Sequence, residues 1–281
     1  MSDLEIRDLL ERHGIRPSKG LGQNLLVAEW AYERIVAASD LAEADHVLEI
    51  GPGLGTLTRY LADRAGQVTA VELDARMVAV LKETLQGRSN VRVVQGDILE
   101  LDPQALISTG AGRQEHYKVV ANLPYYITSR VLRHLLSACI RPGLLTLMVQ
   151  KEVAERIVAS AGSMSLLAVS VQAYGDPEVI CSVPASAFYP RPKVASAVMT
   201  IRTYAEPLVP EEMIGPFFRV VRAGFQQKRK QLHNSLGANL GLPPDRIDSA
   251  LLAACIARET RPQALGVDDW LGLTRALYQE D

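Results

Sequence analysis

The stretch Leu48-Glu49-Ile50-Gly51-Pro52-Gly53-Leu54-Gly55-Thr56-Leu57-Thr58 joins an apolar β-type run to a helical pattern through three alternate glycines. Glycine adopts positive φ at no steric cost and lets a ligand come close to the backbone, so the spacing predicts a tight strand–turn–helix connection. In open α/β sheets such a turn, at the carboxyl end of a strand, is where nucleotide-like ligands sit. The pattern is G-x-G-x-G and not the dinucleotide fingerprint G-x-G-x-x-G, and Pro52 removes a main-chain donor that a pyrophosphate could use. Glu49, just ahead of the turn, would also repel a diphosphate. A cationic or zwitterionic ligand is better served.

Outward from this turn the chain alternates short apolar runs with helical spacing. Val47–Ile50, Val68–Val71, Val91–Val94, Val119–Ala121 and Leu144–Val149 read as strands, with helices over Thr56–Ala65, Ala75–Gln86 and Ser129–Ala138. That alternation implies right-handed crossovers and a mostly parallel sheet with helices on both faces, a Rossmann-like α/β class. After a helix over Ser165–Tyr174, two further strands, Val179–Val183 and Ala195–Ile201, predict an antiparallel edge. Beyond Pro207 only helical signals remain: Glu211–Gly224, Arg229–Leu240, Pro244–Ala257 and Asp268–Gln279. The expected division is therefore a catalytic domain over 1–204, whose first 26 residues form a flap, and a small helical domain over 205–281.

The length of 281 residues and the 48% hydrophobic and 22% charged fractions exclude a disordered chain. Cys139, Cys181 and Cys255 are far apart and form no C-x-x-C pair, which argues against a zinc site or disulfide framework. The first residues lack the apolar core of a signal peptide, and no apolar run approaches a membrane span. A cytoplasmic monomer without a metal is the expectation. With a net charge of −2, any polyanion must be held by local patches.

Acids mark the ends of the next two strands. Glu72 lies where a carboxylate takes a ribose hydroxyl pair, and Asp97, in Gln95-Gly96-Asp97-Ile98, is suited to accept from an adenine amino group. Either alone would read as a helix N-cap. In series with Gly51 and Gly53 they point to a positively charged adenosine-containing ligand, S-adenosylmethionine.

The fourth strand runs into Asn122-Leu123-Pro124-Tyr125-Tyr126-Ile127. The exocyclic amine of adenine is a poor nucleophile because its lone pair is delocalised into the ring. The Asn122 side-chain oxygen and the Leu123 carbonyl could accept both of its N–H bonds, freeing the lone pair to face a sulfonium methyl. Pro124 fixes the turn, Tyr125 stacks on the base, and catalysis is positioning plus electrostatics.

With these motifs in place, the chain resembles the small-subunit ribosomal RNA adenine N6-dimethyltransferases of the KsgA type over nearly its whole length. Further stretches carrying the resemblance are Lys19–Leu26, Gln150–Arg156, Phe188–Val198 and Phe225–Leu236. It implies that Asn24, Leu26, Gly51, Glu72, Asp97 and Asn122 line the S-adenosylmethionine site. It also assigns Phe188, with Tyr125, to sandwiching the target base, and implies two neighbouring adenosines in a hairpin near the 3′ end of the small-subunit RNA as substrate. Two departures stand out: Leu25, where the family usually has Phe, and Ala161–Ser165, where it has Tyr-Gly-x-Leu-Ser. The first is expected to loosen the flap and the second to alter RNA contact.

For the RNA, the acid-free stretch after Met213 supplies Arg219, Arg222, Lys228, Arg229 and Lys230. Arg12, His13, Arg16 and Lys19 form a second patch, and Lys193 a third contact. The target adenosine would flip out or come from an unpaired loop. Trp30 and Trp270 read as packing residues. Two competing readings are a methylase of large-subunit RNA and a non-enzymatic assembly factor. The intact Gly51, Glu72, Asp97, Asn122 and Tyr125 speak against the second.

Overall fold

The computed structural model of the chain describes residues 3–15, 24–108, 116–227 and 229–278. Its elements begin with α1 (Asp3–Arg12), β1 (Leu25–Leu26), α2 (Glu29–Ala38), β2 (His46–Ile50), α3 (Thr56–Ala62), β3 (Gln67–Glu72), α4 (Ala75–Thr84) and β4 (Val91–Gln95). They continue with α5 (Pro103–Ile107), β5 (Lys118–Asn122), α6 (Thr128–Leu136), β6 (Leu144–Gln150), α7 (Lys151–Ile157), α8 (Leu166–Gln172), β7 (Gly175–Val183), β8 (Phe188–Tyr189) and β9 (Ser196–Thr203). The rest is helical: α9 (Ile214–Phe225), α10 (Leu232–Leu240), α11 (Pro244–Ala253) and α12 (Val267–Tyr278).

Seven strands form one sheet in the order β4-β3-β2-β5-β6-β9-β7. β2 pairs in parallel with both β3 and β5, β3 with β4 and β5 with β6, while β9 runs antiparallel to β6. The expected mostly parallel sheet with an antiparallel edge is present. All five residues of β2 are buried, as a central strand covered on both faces requires. The chain fills one side through β3 and β4, then crosses to β5, so the carboxyl ends of β2 and β5 flank a switch point where a crevice opens.

The contacts divide the chain into two compact units, Met1–Ala154 with Glu178–Thr203, and Glu155–Pro177 with Tyr204–Asp281. The expected division differs from this at one segment. Residues 155–177, assigned by the sequence to the first domain, pack with the helical tail. One cause is visible in Ala161–Ser165: the Gly162 and Met164 amides both donate to the Gln263 carbonyl, at 2.9 and 3.0 Å, and α8 packs on α9.

In the first unit α1 is an amphipathic helix that the sequence reading did not register. Ile6, Leu9 and Leu10, at i, i+3 and i+4, are buried against Leu54, Met77 and Val80. Arg12 and His13, expected to face RNA, instead hold Glu83 at 2.8 and 2.7 Å. In the second unit Trp270 is fully buried beside Phe225, as expected of a packing residue; Trp30, in the first unit, is 43% exposed and is not one. Among the described residues no helix is long and apolar enough to cross a membrane, and no cluster of His, Cys, Asp or Glu could hold a metal ion.

Candidate active site

The glycine turn depends on backbone freedom. Gly51, Gly53 and Gly55 have φ of +68°, +57° and +79°, values that other residues rarely adopt. A Cβ on Gly53 would lie 3.2 Å from the Leu25 side chain, so the turn and the β1 segment close on one another. The departure at Leu25 therefore sits in a contact with the turn, and its neighbour Leu26 is pinned by a hydrogen bond from the Tyr32 hydroxyl.

This turn and the ends of β3, β4 and β5 surround one cavity, lined by Asn24, Leu26, Glu49, Gly51, Gly53, Glu72, Asp97, Asn122, Leu123, Pro124 and Tyr125 among others. Every cofactor-site residue expected from sequence is brought together there. Glu72 is buried; its carboxylate accepts from the Asp74 amide at 2.9 Å and the Gly53 amide at 3.3 Å, so β3 and the glycine turn are tied through it. Burial raises its pKa, with the two amides opposing. Asp97 accepts from the Leu99 amide at 2.9 Å, closing its own turn with one oxygen.

Glu49 stands out. It is 1% exposed, and neither carboxylate oxygen meets a hydrogen-bond partner at full geometry among the described residues, Thr58 being the side chain that opposes the effect of its burial. Burial pushes its carboxyl up to about 8, with the Thr58 side chain opposing and the Glu72 charge adding to the rise. A buried carboxylate left without a partner is costly. A cationic group entering the cavity would relieve that cost, which fits a sulfonium and ammonium ligand and not a diphosphate.

At the end of β5, Asn122 Nδ2 donates to the Asn24 main-chain oxygen at 3.2 Å, leaving Oδ1 as the acceptor. The Leu123 amide donates to the Met148 carbonyl at 3.1 Å. Its own carbonyl accepts nothing among the described residues. Pro124 leads into a single 3-10 turn, Tyr125–Ile127, closed by the Ile127 amide on the Pro124 carbonyl at 3.1 Å. Tyr125 is half-buried with its hydroxyl 2.8 Å from Ser196 Oγ; burial raises its pKa and the Ser196 bond opposes this. Sequence reasoning did not assign a role to Ser196 or Tyr32, although Ser196 lies inside the quoted Phe188–Val198 motif.

Phe188 lies on β8, paired with the cavity-lining Leu26 of β1. It is 5% exposed and belongs to a buried cluster with Leu26, Tyr32, Val183 and Val198; it does not itself line the cavity, but Leu26 and Tyr32 do. Neighbouring strand residues point to opposite sides; in the antiparallel β1–β8 pair, Phe188 opposite Leu26 faces this cluster while Tyr189 opposite Leu25 packs on the α1 cluster. Of the two aromatic residues expected to sandwich the base, Tyr125 is among those lining the cavity and Phe188 is not. Of the expected RNA contacts, Arg16, Lys19 and Lys228 lie outside the described residues. Lys193 in the first unit and Arg222, Arg229 and Lys230 in the second are exposed.

A glycine turn, two acids and an Asn-x-Pro-Tyr turn at four successive parallel strand ends define a Rossmann-like methyltransferase. The family model described as ribosomal RNA adenine dimethylase matches residues 15–278, and the chain belongs to that family. It is 45% identical over 275 residues to the ribosomal RNA small subunit methyltransferase A of Moorella thermoacetica, covering 96% of this chain and 95% of that protein. Among solved structures, the 23S rRNA methyltransferase ErmE aligns with a TM-score of 0.72 and 32% identity, over 91% of this chain and all of that one. A dimethyladenosine transferase from Plasmodium falciparum aligns with a TM-score of 0.72 and 26% identity, over 89% of this chain and 95% of that one. Methyltransferases of this kind use S-adenosylmethionine in general.

Proposed function

We propose that the chain dimethylates N6 of two adjacent adenosines in a hairpin near the 3′ end of small-subunit ribosomal RNA, and so contributes to assembly of the small subunit. The observation that carries the chemistry is the pair of open acceptors at the end of β5. Asn122 lines the cavity with its amide nitrogen engaged, which leaves Oδ1 as an acceptor, and the neighbouring Leu123 carbonyl takes no hydrogen bond from the described residues. Two oxygens on adjacent residues suit the two N–H bonds of an aromatic amine.

S-adenosylmethionine, when bound, supplies an electrophilic methyl group. Gly51 and Gly53 leave room for it, Glu72 and Asp97 suit its ribose and adenine, and Glu49 offers a negative charge to its cationic end. Asn24 and Leu26 close over it from β1. Asn122 and Leu123 hold the target amine with its lone pair directed outward from the ring plane, and Tyr125 stacks on the base from a ring fixed by Ser196. No side chain in the cavity has to remove a proton first, because an alkylated arylamine is acidic enough to lose its proton to water. The contribution of the site is orientation and a prepaid electrostatic field.

Small-subunit RNA is favoured over large-subunit RNA because the relative named for the small subunit shares 45% identity, against 32% for ErmE. The basic residues Lys193, Arg222, Arg229 and Lys230, with Arg16, Lys19 and Lys228, supply phosphate contacts in this reading. The deciding experiment transfers labelled methyl groups to small and large subunits isolated from a strain lacking both modifications and identifies the product nucleoside. N6,N6-dimethyladenosine in the small subunit alone supports the proposal. Label in the large subunit alone overturns it.

A further inference from the structure

We infer that Tyr126 and Arg130 form a second nucleotide subsite on the rim of the cavity, which takes the unpaired nucleotide next to the target adenosine. The base lies on the Tyr126 ring and its phosphate on the Arg130 guanidinium. The inference rests on the reading above that the cavity receives an adenosine of RNA.

Tyr125 and Tyr126 are consecutive in one 3-10 turn yet have opposite surroundings. Tyr125 lies half-buried with its hydroxyl on Ser196. Tyr126 lines the same cavity but is 57% exposed, and it makes no hydrogen bond or ring contact with any described residue. Its backbone is nonetheless fixed on both sides, by the Ile127 amide on the Pro124 carbonyl and by the Thr128 hydroxyl on the Tyr125 carbonyl at 3.3 Å. A large aromatic ring on a rigid turn at a cavity mouth is a stacking platform whose ordering cost on binding is already met.

Arg130 follows Tyr126 by four residues and also lines the cavity. It stands on the first turn of α6, whose other face is anchored by the buried Val131, Leu132, Leu135 and Leu136. Some arginines of this unit have carboxylate partners: Arg12 with Glu83, Arg76 with Asp74 and Arg88 with Asp63. Arg130 has none among the described residues, nor does the exposed Arg133 one turn further on. The surrounding sequence is basic: residues 116–151 contain no Asp or Glu, but hold Lys118, Arg130, Arg133, Arg141 and Lys151. A cation without an ion-pair partner among the described residues, beside an open aromatic ring, has the chemistry of a single-stranded nucleotide site. In this inference the strand whose adenosine enters the cavity leaves across this rim.

The test uses the full chain, small subunits lacking the modification, and the variants Tyr126→Ala, Tyr126→Trp and Arg130→Gln. Tyr126→Ala is expected to raise KM for the subunit about five-fold or more, with S-adenosylmethionine affinity by calorimetry unchanged and Tyr126→Trp restoring KM. Arg130→Gln is expected to weaken subunit binding and to lower the slope of log affinity against log salt by about one. A KM for Tyr126→Ala within two-fold of wild type overturns the inference, as does a tryptophan variant no better than alanine. Failure of the wild-type protein to label small subunits would instead overturn the proposed function, so the two failures are distinct.

Discussion

Asn122 gives its side-chain nitrogen to the main-chain oxygen of Asn24, 3.2 Å away and 98 positions earlier in the chain. The bond engages the nitrogen end of the amide, and it couples the turn after β5 to the residue preceding β1, both of which line the cavity. Asn122→Ala removes one of two acceptors for the target amine. Transfer is expected to fall by about 100-fold or more, with donor affinity moving only a few-fold; single-turnover transfer and calorimetry measure the two separately. A variant with wild-type turnover would remove the turn from the chemistry.

Glu49 gives a pH signature. Its carboxyl is raised from 4.5 to about 8 by burial in the ligand-free protein, so the folded state binds a proton that the unfolded chain releases. That contribution to stability is complete below about 4.5 and is lost as pH rises through about 8. Glu49→Gln should therefore leave stability little changed at pH 5 and raise it at pH 9, as read by denaturant unfolding. Ligand binding runs the other way, since a cationic donor prefers the ionised carboxylate. The ratio of wild-type to Glu49→Gln affinity should rise about ten-fold between pH 7 and pH 9, the ligand's own titration cancelling in the ratio. A flat ratio would mean that Glu49 does not meet the cation.

Much of this arrangement is legible in the residues, for a physical reason. The central strands are continuous apolar runs because both faces of the sheet are covered, and the glycines and acids fall at strand ends because ligands bind there. Hence Gly51, Glu72, Asp97 and Asn122 meet in one cavity as their positions foretell. What escaped depends on tertiary pairing. The β1–β8 ladder is two residues long on each strand, too short for any periodicity, and its register is what sets Phe188 opposite Leu26. Likewise, nothing local to Arg12 or His13 announces Glu83, 70 or so positions away. Residues 155–177 follow the helical tail through main-chain bonds to Gln263, which no side-chain pattern encodes.

Tyr125 and Ser196 separate stacking from orientation. Tyr125→Ala removes the ring and should slow transfer by about five- to 100-fold. Tyr125→Phe keeps the ring but frees it from Ser196 Oγ, 2.8 Å away in the native site, and should cost much less. Ser196→Ala should match Tyr125→Phe, and the double variant should be no worse than either, because both remove the same bond. Additive losses in this cycle would show that the hydroxyl and the serine act independently.

The exposed Arg229 and Lys230 belong to a stretch, Ile214 to Leu242, with no acidic residue. If they contact phosphates, replacing both by alanine should weaken RNA binding roughly uniformly across sequences and lower the salt slope by about two. Filter binding to small subunits over about 50–200 mM salt measures it. An unchanged slope would assign these residues to solvent.

Gly224 offers a test of packing in the helical unit, separate from the chemistry. It lies in α9, where a Cβ would meet Trp270 Cη2 at 2.4 Å and Cζ3 at 3.0 Å. Neither side can give way. Trp270 is fully buried with Phe225 5.5 Å from its ring centre, and the Gly224 carbonyl is held by the Ser235 hydroxyl at 2.8 Å. Gly224→Ala should therefore destabilise this unit by about 1–3 kcal/mol, the usual cost of overpacking, despite the better helix propensity of alanine. Trp270→Phe shortens the ring and opens a cavity of its own, so alone it is destabilising as well. Combined, the added methyl enters the space the indole vacates, and the double variant should lose less than the two single losses together. Thermal unfolding of all four proteins decides it: strict additivity would show that the glycine is required for some reason other than the tryptophan.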